Sequence, residues 1–235
     1  DQLSGDRDVH IHHNKLVQNC RFAIRAYSSS DKIDLKINDN IITGESFTNS
    51  FYSVGIFHLE SIESASVSNN VFQDYDVNIS SSSFWGIEVS TNNPSNAASV
   101  IISDNIYKNI KTSRYLELHD FRGGVTFKNN LIYNVTSTAV TGYAVSAGSG
   151  GSGSTNLIIN NTIANSTNIT GIKGGNGTLY NNIVTGCTVG LENNNGNYNN
   201  IWGNGTNYSD YNTSGGDISL NPKFKDSDNG DYTLL

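Results

Sequence analysis

An asparagine flanked at fixed distances by large apolar residues recurs along this chain, and this repeat limits the possible folds more than any other feature. The eight copies read VHIHHNKL, LKINDNII, ASVSNNVF, SVIISDNIY, GVTFKNNLIY, NLIINNTI, GTLYNNIV and GNYNNIW. We assign the pivotal asparagines, which lie 18 to 35 residues apart, as Asn14, Asn40, Asn70, Asn105, Asn130, Asn161, Asn182 and Asn200. A large apolar residue stands two positions after every pivot, and another stands three positions before every pivot except the last, where Asn197 interrupts the pattern. Repeats of this length are typical of solenoids.

A second, weaker apolar alternation follows each pivot. Its copies read AIRAY, GIFHL, GIEVS, YLELH, GIKGG and GLENN, with a less regular member at GYAVS. Short alternating segments separated by Asn, Gly and Ser indicate strands and turns, and no segment has the sustained 3.6-residue period of a helix. Each repeat therefore contributes at least two short strands and a bend. Stacking the repeats predicts an all-β chain, a parallel β-helix of about eight rungs in which the pivotal asparagines form a hydrogen-bonded ladder.

The composition fits one thin solenoid domain. Only 36% of the 235 residues are hydrophobic and 15% are charged, which is too polar for a globule with a thick core. We expect the rungs to occupy approximately residues 1–210 and residues 211–235 to form a C-terminal cap segment. A net charge of −7 without any basic run argues against nucleic acid as a partner. The chain also has no apolar run long enough for membrane insertion.

The repeat pattern I-x-x-N-x-I-x-N followed by G-I, together with the ending LNPKFKDSDNGDYTL from Leu220 to Leu234, resembles the right-handed parallel β-helix repeat family of pectate-lyase-like proteins. The Asn-rich texture further resembles cell-surface proteins of methanogenic archaea, such as the disaggregatase group that acts on a methanochondroitin-like matrix. The resemblance implies a right-handed solenoid with an elongated groove along one sheet face. It also implies that the groove holds a polysaccharide and that the reaction is hydrolysis or β-elimination.

Charged residues concentrate on the second strand of each repeat. With the Ile or Leu of each copy pointing inward, the next residue points outward, which predicts an outward column of Arg25, Phe57, Glu88, Glu117, Lys173 and Glu192. The fourth copy, SRYLELHDFRGG, is the most densely charged of these segments. The predicted catalytic residues are Glu88, Glu117, His119 and Asp120. The predicted substrate-binding residues are Arg25, Arg114, Arg122, His58, Trp85 and Tyr115.

The catalytic roles follow from the expected positions of the carboxyl groups. Glu88 and Glu117 are expected to stack on adjacent rungs at about 4.8 Å, a spacing that suits a retaining glycosidase, with Asp120 as the substitute partner if the pair is wider. Two carboxylates this close resist ionising together, so one is expected to keep a proton and act as a general acid. In a lyase, His119 on the face shared with Glu117 is the expected base. The alternative for each charged residue is a solvated or paired surface side chain.

Histidines raise two further questions. His58 falls beside Ala26 and Val89 in the strand alignment, which indicates a buried, hydrogen-bonded histidine as the alternative to a substrate-binding one.

His10 and His12 share one strand face, but no further ligand lies in register with them, so we predict no metal site. Calcium is not favoured, because it requires more carboxylates at one spot than the candidate site offers. We therefore predict no cofactor.

Three functional hypotheses remain open. The first is a polysaccharide-cleaving enzyme, either a glycoside hydrolase or a polysaccharide lyase, that acts on a cell-surface or extracellular matrix glycan. The second is a non-catalytic adhesive or surface-layer module that binds glycans. The third is a homotrimer with a site between chains, because a slim solenoid gains burial by association. The low Lys and Arg content and the polar surface favour an extracellular or cell-surface location.

Overall fold

The computed structural model describes residues 7–18, 20–27, 33–47, 53–60, 62, 64–78, 83–90, 99–113, 116–121, 124–138, 142–148, 155–175, 177–192, 195–210, 212–213 and 215–235. In these parts the chain is all-β, and all its strands except those of a C-terminal hairpin lie parallel to one another in stacked sheets. Successive passes of the chain add strands beside those of the previous pass, which confirms the predicted stacking of parallel strands. No helix in the described part of the chain combines the length and the apolar character needed to cross a bilayer.

The stacked strands form three faces, which we call sheets 1, 2 and 3. Sheet 1 contains β1 (Arg7–His12), β4 (Ile33–Asn38), β8 (Ser64–Ser68), β11 (Ser99–Ser103), β14 (Val125–Lys128), β17 (Asn156–Ile159), β19 (Gly177–Tyr180), β21 (Asn195–Asn197) and β24 (Asn212–Thr213). Sheet 2 contains β2 (Lys15–Gln18), β5 (Ile41–Gly44), β6 (Ser46–Phe47), β9 (Val71–Val77), β12 (Ile106–Thr112), β15 (Leu131–Ser137) and β22 (Asn200–Trp202). Sheet 3 contains β3 (Phe22–Tyr27), β7 (Ser53–Glu60), β10 (Ser83–Ser90), β13 (Leu116–Phe121), β16 (Gly142–Ser146) and β23 (Thr206–Ser209). Two long strands, β18 (Thr162–Lys173) and β20 (Ile183–Glu192), run through sheets 2 and 3 and join them.

The pivotal asparagines form the predicted ladder at the corner between sheets 1 and 2. At a typical step, the backbone N–H and Nδ2 of Asn40 both donate to Oδ1 of Asn70 at 3.0 Å, and Nδ2 also donates to the carbonyl of Ile11. The residue before each ladder asparagine has a φ between 54° and 61°, and Asn or Asp occupies most of these positions because both tolerate the left-handed conformation. The ladder thus pairs backbone groups that a sharp, buried corner otherwise leaves unsatisfied.

The last asparagine of the ladder is Asn199 and not Asn200, so the predicted register of the eighth copy is wrong by one residue. Asn182 donates from its backbone N–H and from Nδ2 to Oδ1 of Asn199, in both cases at 3.0 Å. Asn199 in turn donates to a carboxylate oxygen of Asp217. Because a carboxylate only accepts hydrogen bonds, Asp217 ends the ladder.

This one-residue error has a local cause. Tyr198, with a φ of 61°, takes the left-handed position that Asn or Asp holds in most other copies. The residue two positions after the true pivot is therefore Ile201, which is fully buried and pairs in register with Val184. Trp202, assigned to that position from the sequence, is 37% exposed.

The interior is lined by two apolar columns that flank the ladder. Sheet 1 contributes the fully buried Ile37, Val67, Ile102, Phe127, Ile158 and Leu179. Sheet 2 contributes the fully buried Ile42, Phe72, Tyr107, Ile132, Ile163, Val184 and Ile201. Burying one side chain of this size contributes about 1.5–3 kcal/mol, so the two columns supply much of the stability of a chain this polar.

The segment predicted as a C-terminal cap has two parts. Ile218 pairs with Asn200 on the last described turn of the solenoid. The chain then forms an antiparallel hairpin of β25 (Phe224–Asp226), a 3₁₀ turn (Ser227–Asn229) and β26 (Asp231–Leu234). This hairpin lies against sheet 2, where the ring of Tyr232 is 5.1 Å from that of Tyr133 and its hydroxyl accepts a hydrogen bond from Asn165. The hairpin therefore covers one side of the solenoid.

Candidate functional site

Sheet 3 carries most of the charged residues singled out by the sequence. Strand pairing aligns one residue from each strand in a row, here called the charged column, which comprises Arg25, His58, Glu88, Asp120, Ser146, Lys173 and Glu192. Arg25 is exposed and Lys173 is half-buried, so the row belongs to the outer side of the sheet. Four of the six residues predicted to share an outward column do share it, namely Arg25, Glu88, Lys173 and Glu192.

A second row, here called the aromatic column, lies three residues earlier on each strand. It comprises Phe22, Gly55, Trp85, Glu117, Tyr143 and Thr170. Between the two rows, β7, β10, β13 and β16 each bury two consecutive residues, such as Leu118 and His119 in β13, which interrupts the usual alternation of sides. The two columns therefore form neighbouring strips of one surface.

Glu88 lies in register with Asp120, and the predicted stack of Glu88 on Glu117 is wrong. Glu117 instead opposes Trp85 on one neighbouring strand and Tyr143 on the other. Adjacent strands lie about 4.8 Å apart, so the backbone places Glu88 and Asp120 side by side. The two residues expose only 8% and 5% of their surface. Asp120, the substitute partner in the sequence analysis, thus takes the place assigned to Glu117.

The alignment of the repeats predicted from the sequence is wrong in sheet 3, because the glycine of each repeat does not occupy the same position in its strand. The pairs Gly55-Ile56 and Gly86-Ile87 look equivalent in the sequence, but Gly55 opposes Trp85 in the sheet. Phe57, which was expected to point outward, therefore opposes Ile87 and is fully buried. The expected place of Phe57 in the outward column is wrong for this reason.

His58 belongs to the charged column, in register with Arg25 and Glu88, and not to the row of Ala26 and Val89. Its Nδ1 lies 2.7 Å from Oε2 of Glu88, and the two side chains are 15% and 10% exposed. The predicted row of His58 is therefore wrong, whereas the predicted hydrogen bond is present. A hydrogen bond this short orients the carboxyl group of Glu88 on the outer surface.

His119 lies inside the solenoid and does not share a face with Glu117. Its ring is fully buried, and Nδ1 lies 2.9 Å from the carbonyl oxygen of Ala144. Burial lowers the pKa of His119 to about 3, and the bond to Ala144 opposes this shift only in part. A neutral, enclosed ring cannot take a proton from a substrate on the surface. The expected role of His119 as a base is therefore not supported by its position.

Tyr143 and Lys173 form a pair that the sequence analysis did not identify. Nζ of Lys173 donates to the hydroxyl of Tyr143 at 2.8 Å and lies 4.2 Å from the centroid of the ring. The bond to Tyr143 raises the pKa of Lys173, and the nearby carboxylates of Glu192 and Glu117 add to the rise. Lys173 therefore stays protonated in the charged column, two strands from Asp120. The irregular GYAVS segment was the only sequence signal for Tyr143, and it gave no reason to align Tyr143 with Glu117.

Trp85 lies half-buried in the aromatic column between Gly55 and Glu117. Its indole Nε1 is buried and has no hydrogen-bond partner within the described part of the chain. The ring of Phe22 fills the space beside Gly55, where an added Cβ would lie 2.7 Å from Cε1 of Phe22. The same ring lies 5.4 Å from that of His58. Aromatic rings thus line the strip beside the charged column.

Arg114, Tyr115 and Arg122, predicted to bind substrate, lie outside the described residues. On β1, the rings of His10 and His12 lie 4.3 Å apart. Across the ranges that the structure describes, no three His, Cys, Asp or Glu side chains are grouped so that they could hold a metal ion.

No protein-family model, no curated protein and no solved structure matches this chain. A functional assignment therefore depends on the sequence pattern and on the geometry of sheet 3. That geometry offers a carboxyl pair, a histidine bonded to one member of the pair, and an adjoining aromatic strip.

Proposed function

We propose that this chain is a polysaccharide-cleaving enzyme and that Glu88 and Asp120 are its catalytic carboxyl groups. The observation that carries the proposal is their register, because it places two carboxyl groups side by side on the outer surface of sheet 3. In this proposal the chain is a right-handed parallel β-helix of about eight rungs. The glycan lies along sheet 3 and crosses successive strands.

The spacing of the pair favours one stereochemical course. Glycoside hydrolysis uses one carboxyl group to protonate the leaving oxygen and a second to attack the sugar or to activate water. Retaining enzymes hold the two groups about 5 to 5.5 Å apart, whereas inverting enzymes hold them about 6.5 to 9.5 Å apart. The backbones of Glu88 and Asp120 stand on adjacent strands about 4.8 Å apart, a spacing at which their carboxyl groups can adopt the closer separation of the retaining course. One carboxylate then forms a glycosyl ester, and water releases the sugar.

The histidines favour hydrolysis over β-elimination. A lyase requires a base that removes the proton next to a uronate carboxyl group. His119, the expected base, is buried in the interior. His58 is bonded to Glu88, an arrangement that orients a carboxyl group for acid or nucleophilic chemistry. We therefore propose a hydrolase.

The residues around the pair suit a glycan substrate. Trp85 and Tyr143 stand two strands apart in the aromatic column, and aromatic faces pack well against sugar rings. Arg25 and Lys173 lie on opposite sides of the carboxyl pair and provide cations for acidic sugars. These features support a cell-surface or extracellular matrix glycan as the substrate, and hence an extracellular or cell-surface location.

Release of reducing ends tests the proposal. The purified chain is incubated with a purified methanochondroitin-like matrix polysaccharide, and reducing ends and the ultraviolet absorbance of unsaturated uronates are measured. We expect the wild type to release reducing ends without such absorbance. A wild type that releases no reducing ends contradicts the proposal, and strong absorbance of the products contradicts hydrolysis.

A non-catalytic glycan-binding module is the second candidate function. In its favour, the carboxyl pair exposes little surface and Glu88 is already bonded to His58. Such a module would bind the same polysaccharide in a calorimetric titration without releasing reducing ends. Trp85→Ala would then weaken binding, whereas Asp120→Asn would leave it unchanged.

A further inference from the structure

Two polar atoms in the solenoid interior have no hydrogen-bond partner within the described part of the chain. They are the hydroxyl of Tyr107 and Nε2 of His119, and both side chains are fully buried. Buried polar side-chain atoms are paired in the large majority of cases, because an unpaired atom loses its bonds to water without replacement. The two rings are in contact, so a single shared partner can satisfy both atoms.

The bond at the other ring nitrogen defines the chemistry of Nε2. Nδ1 of His119 lies 2.9 Å from the carbonyl oxygen of Ala144, which only accepts hydrogen bonds, so Nδ1 carries the proton. Burial lowers the pKa of His119 to about 3, so the ring remains neutral at neutral pH. Nε2 is therefore an acceptor without a donor. The hydroxyl of Tyr107 is a donor without an acceptor.

The side chains that carry the two atoms belong to one aromatic enclosure. The rings of Tyr107 and His119 meet edge to face, with centroids 4.5 Å apart and an interplanar angle of 89°. Phe127 lies 4.6 Å and Phe121 lies 5.7 Å from the ring of His119. Phe72 stacks on Tyr107 at 4.7 Å. The enclosure is therefore largely apolar, and its two unpaired polar atoms are of opposite type.

We propose that this enclosure binds one water molecule, which accepts a hydrogen bond from the hydroxyl of Tyr107 and donates one to Nε2 of His119. Buried waters typically make about two to four hydrogen bonds to groups of this kind. The water links sheet 2, through Tyr107 on β12, to sheet 3, through His119 on β13. His119 also bonds to Ala144 on β16, so the connection reaches the two strands that carry Asp120 and Tyr143. The proposal does not depend on the enzymatic function.

Counting the long-lived internal waters tests the proposal in solution. Oxygen-17 magnetic relaxation dispersion is measured on the wild type, on Tyr107→Phe and on Tyr75→Phe. Tyr75 is the matched control, because it is also buried but its hydroxyl already donates to Oε1 of Gln18 at 2.9 Å. We expect one long-lived water fewer in Tyr107→Phe and no change in Tyr75→Phe. Equal counts in the wild type and Tyr107→Phe overturn the proposal.

A high-resolution crystal structure of the wild type tests the site without any variant. We expect an isolated peak of electron density within hydrogen-bonding distance of both the Tyr107 hydroxyl and Nε2 of His119. A direct hydrogen bond between these two atoms, or an enclosure without such a peak, overturns the proposal.

Discussion

The corner between sheets 1 and 2 and the outer surface of sheet 3 follow different rules. At the corner each step repeats the previous one: Nδ2 of Asn70 donates to the carbonyl of Ile37, and Nδ2 of Asn105 donates to the carbonyl of Val67, both at 2.9 Å. In the charged column, by contrast, neighbours differ in charge and in partner, as the bond between His58 and Glu88 shows. The corner repeats because every turn has the same backbone groups to satisfy. No such requirement specifies the outer side chains of sheet 3, so that surface is available for a site.

The largest expected effect is the loss of enzymatic activity on substitution of the carboxyl pair in the charged column. Asp120→Asn and Glu88→Gln should each lower the cleavage rate about a thousand-fold, because acid–base catalysis by one group contributes roughly 10²- to 10⁴-fold. Their melting temperatures should stay within roughly 5 °C of the wild type, because neither residue belongs to the ladder. Glu192→Gln, in the same column but away from the pair, is the matched control and should retain activity. Full activity in both pair variants contradicts the catalytic assignment.

Substitutions in the asparagine ladder, by contrast, should lower the stability of the fold. Asn105→Leu removes the amide that donates to the buried carbonyl of Val67 and the Oδ1 that accepts from the backbone N–H and Nδ2 of Asn70, so we expect a loss of about 4 kcal/mol in the free energy of unfolding. The matched variant Asn14→Leu, at the exposed end of the ladder, should cost about 1 kcal/mol. Urea unfolding measures both changes. Equal losses at the two positions would show that the ladder does not act as a continuous buried element.

A smaller difference in stability tests whether Asn199, and not Asn200, is the last asparagine of the ladder. Asn199→Leu removes the acceptor for two donors of Asn182 and should cost about 3 kcal/mol. Asn200→Leu removes, among the described residues, one side-chain acceptor, which takes the backbone N–H of Leu220, and should cost about 1 kcal/mol. Urea unfolding again gives the comparison. A larger loss for Asn200→Leu would restore the register assigned from the sequence.

The corner could be predicted from the sequence because each of its positions has one physical requirement. The ladder position needs both a donor and an acceptor, and the flanking columns need apolar side chains, so the pattern at Asn70 and Asn105 identifies the fold directly. Tyr198 shows the limit of this approach. Its left-handed φ of 61° is uncommon for an aromatic residue, and the following pair of asparagines was therefore assigned one residue too late.

The site could be predicted only in part. Charge clustering made Glu88 and Asp120 candidates, but two consecutive buried residues in β7, β10, β13 and β16 break the two-residue period on which the assignment of faces depends. Glu117 was therefore paired with the wrong neighbour, and His119 was placed outside when it lies inside. Tyr143 was missed because register across strands, and not any local motif, brings it beside Glu117.

The smallest expected effect concerns pH and the buried histidine. In the folded chain the pKa of His119 is about 3 instead of 6.5, so below pH 6.5 the unfolded chain takes up a proton that the folded chain does not. The stabilising contribution of neutral His119 is therefore present above pH 6.5 and declines as the pH falls towards 3. Between about pH 7.5 and about pH 5 the expected loss is about 2 kcal/mol.

His119→Phe removes this titration while keeping an aromatic ring in the enclosure. Urea unfolding of the variant should therefore show a shallower loss of stability with acid than the wild type, because titrations common to both proteins cancel in the comparison. Identical dependence on pH in the two proteins would contradict a neutral, buried His119.

Disulfide cross-linking tests most directly whether Glu88 and Asp120 form the pair. Cys20→Ser removes the exposed thiol, and cysteines are then placed either at Glu88 and Asp120 or at Glu88 and Glu117. Adjacent strand positions about 4.8 Å apart fall within the Cα separation of about 4.4 to 6.8 Å that a disulfide requires. Glu117 is offset from Glu88 by three residues along the strand, or about 10 Å. We expect mild oxidation to link the first pair and not the second; preferential linking of the second pair would contradict the account.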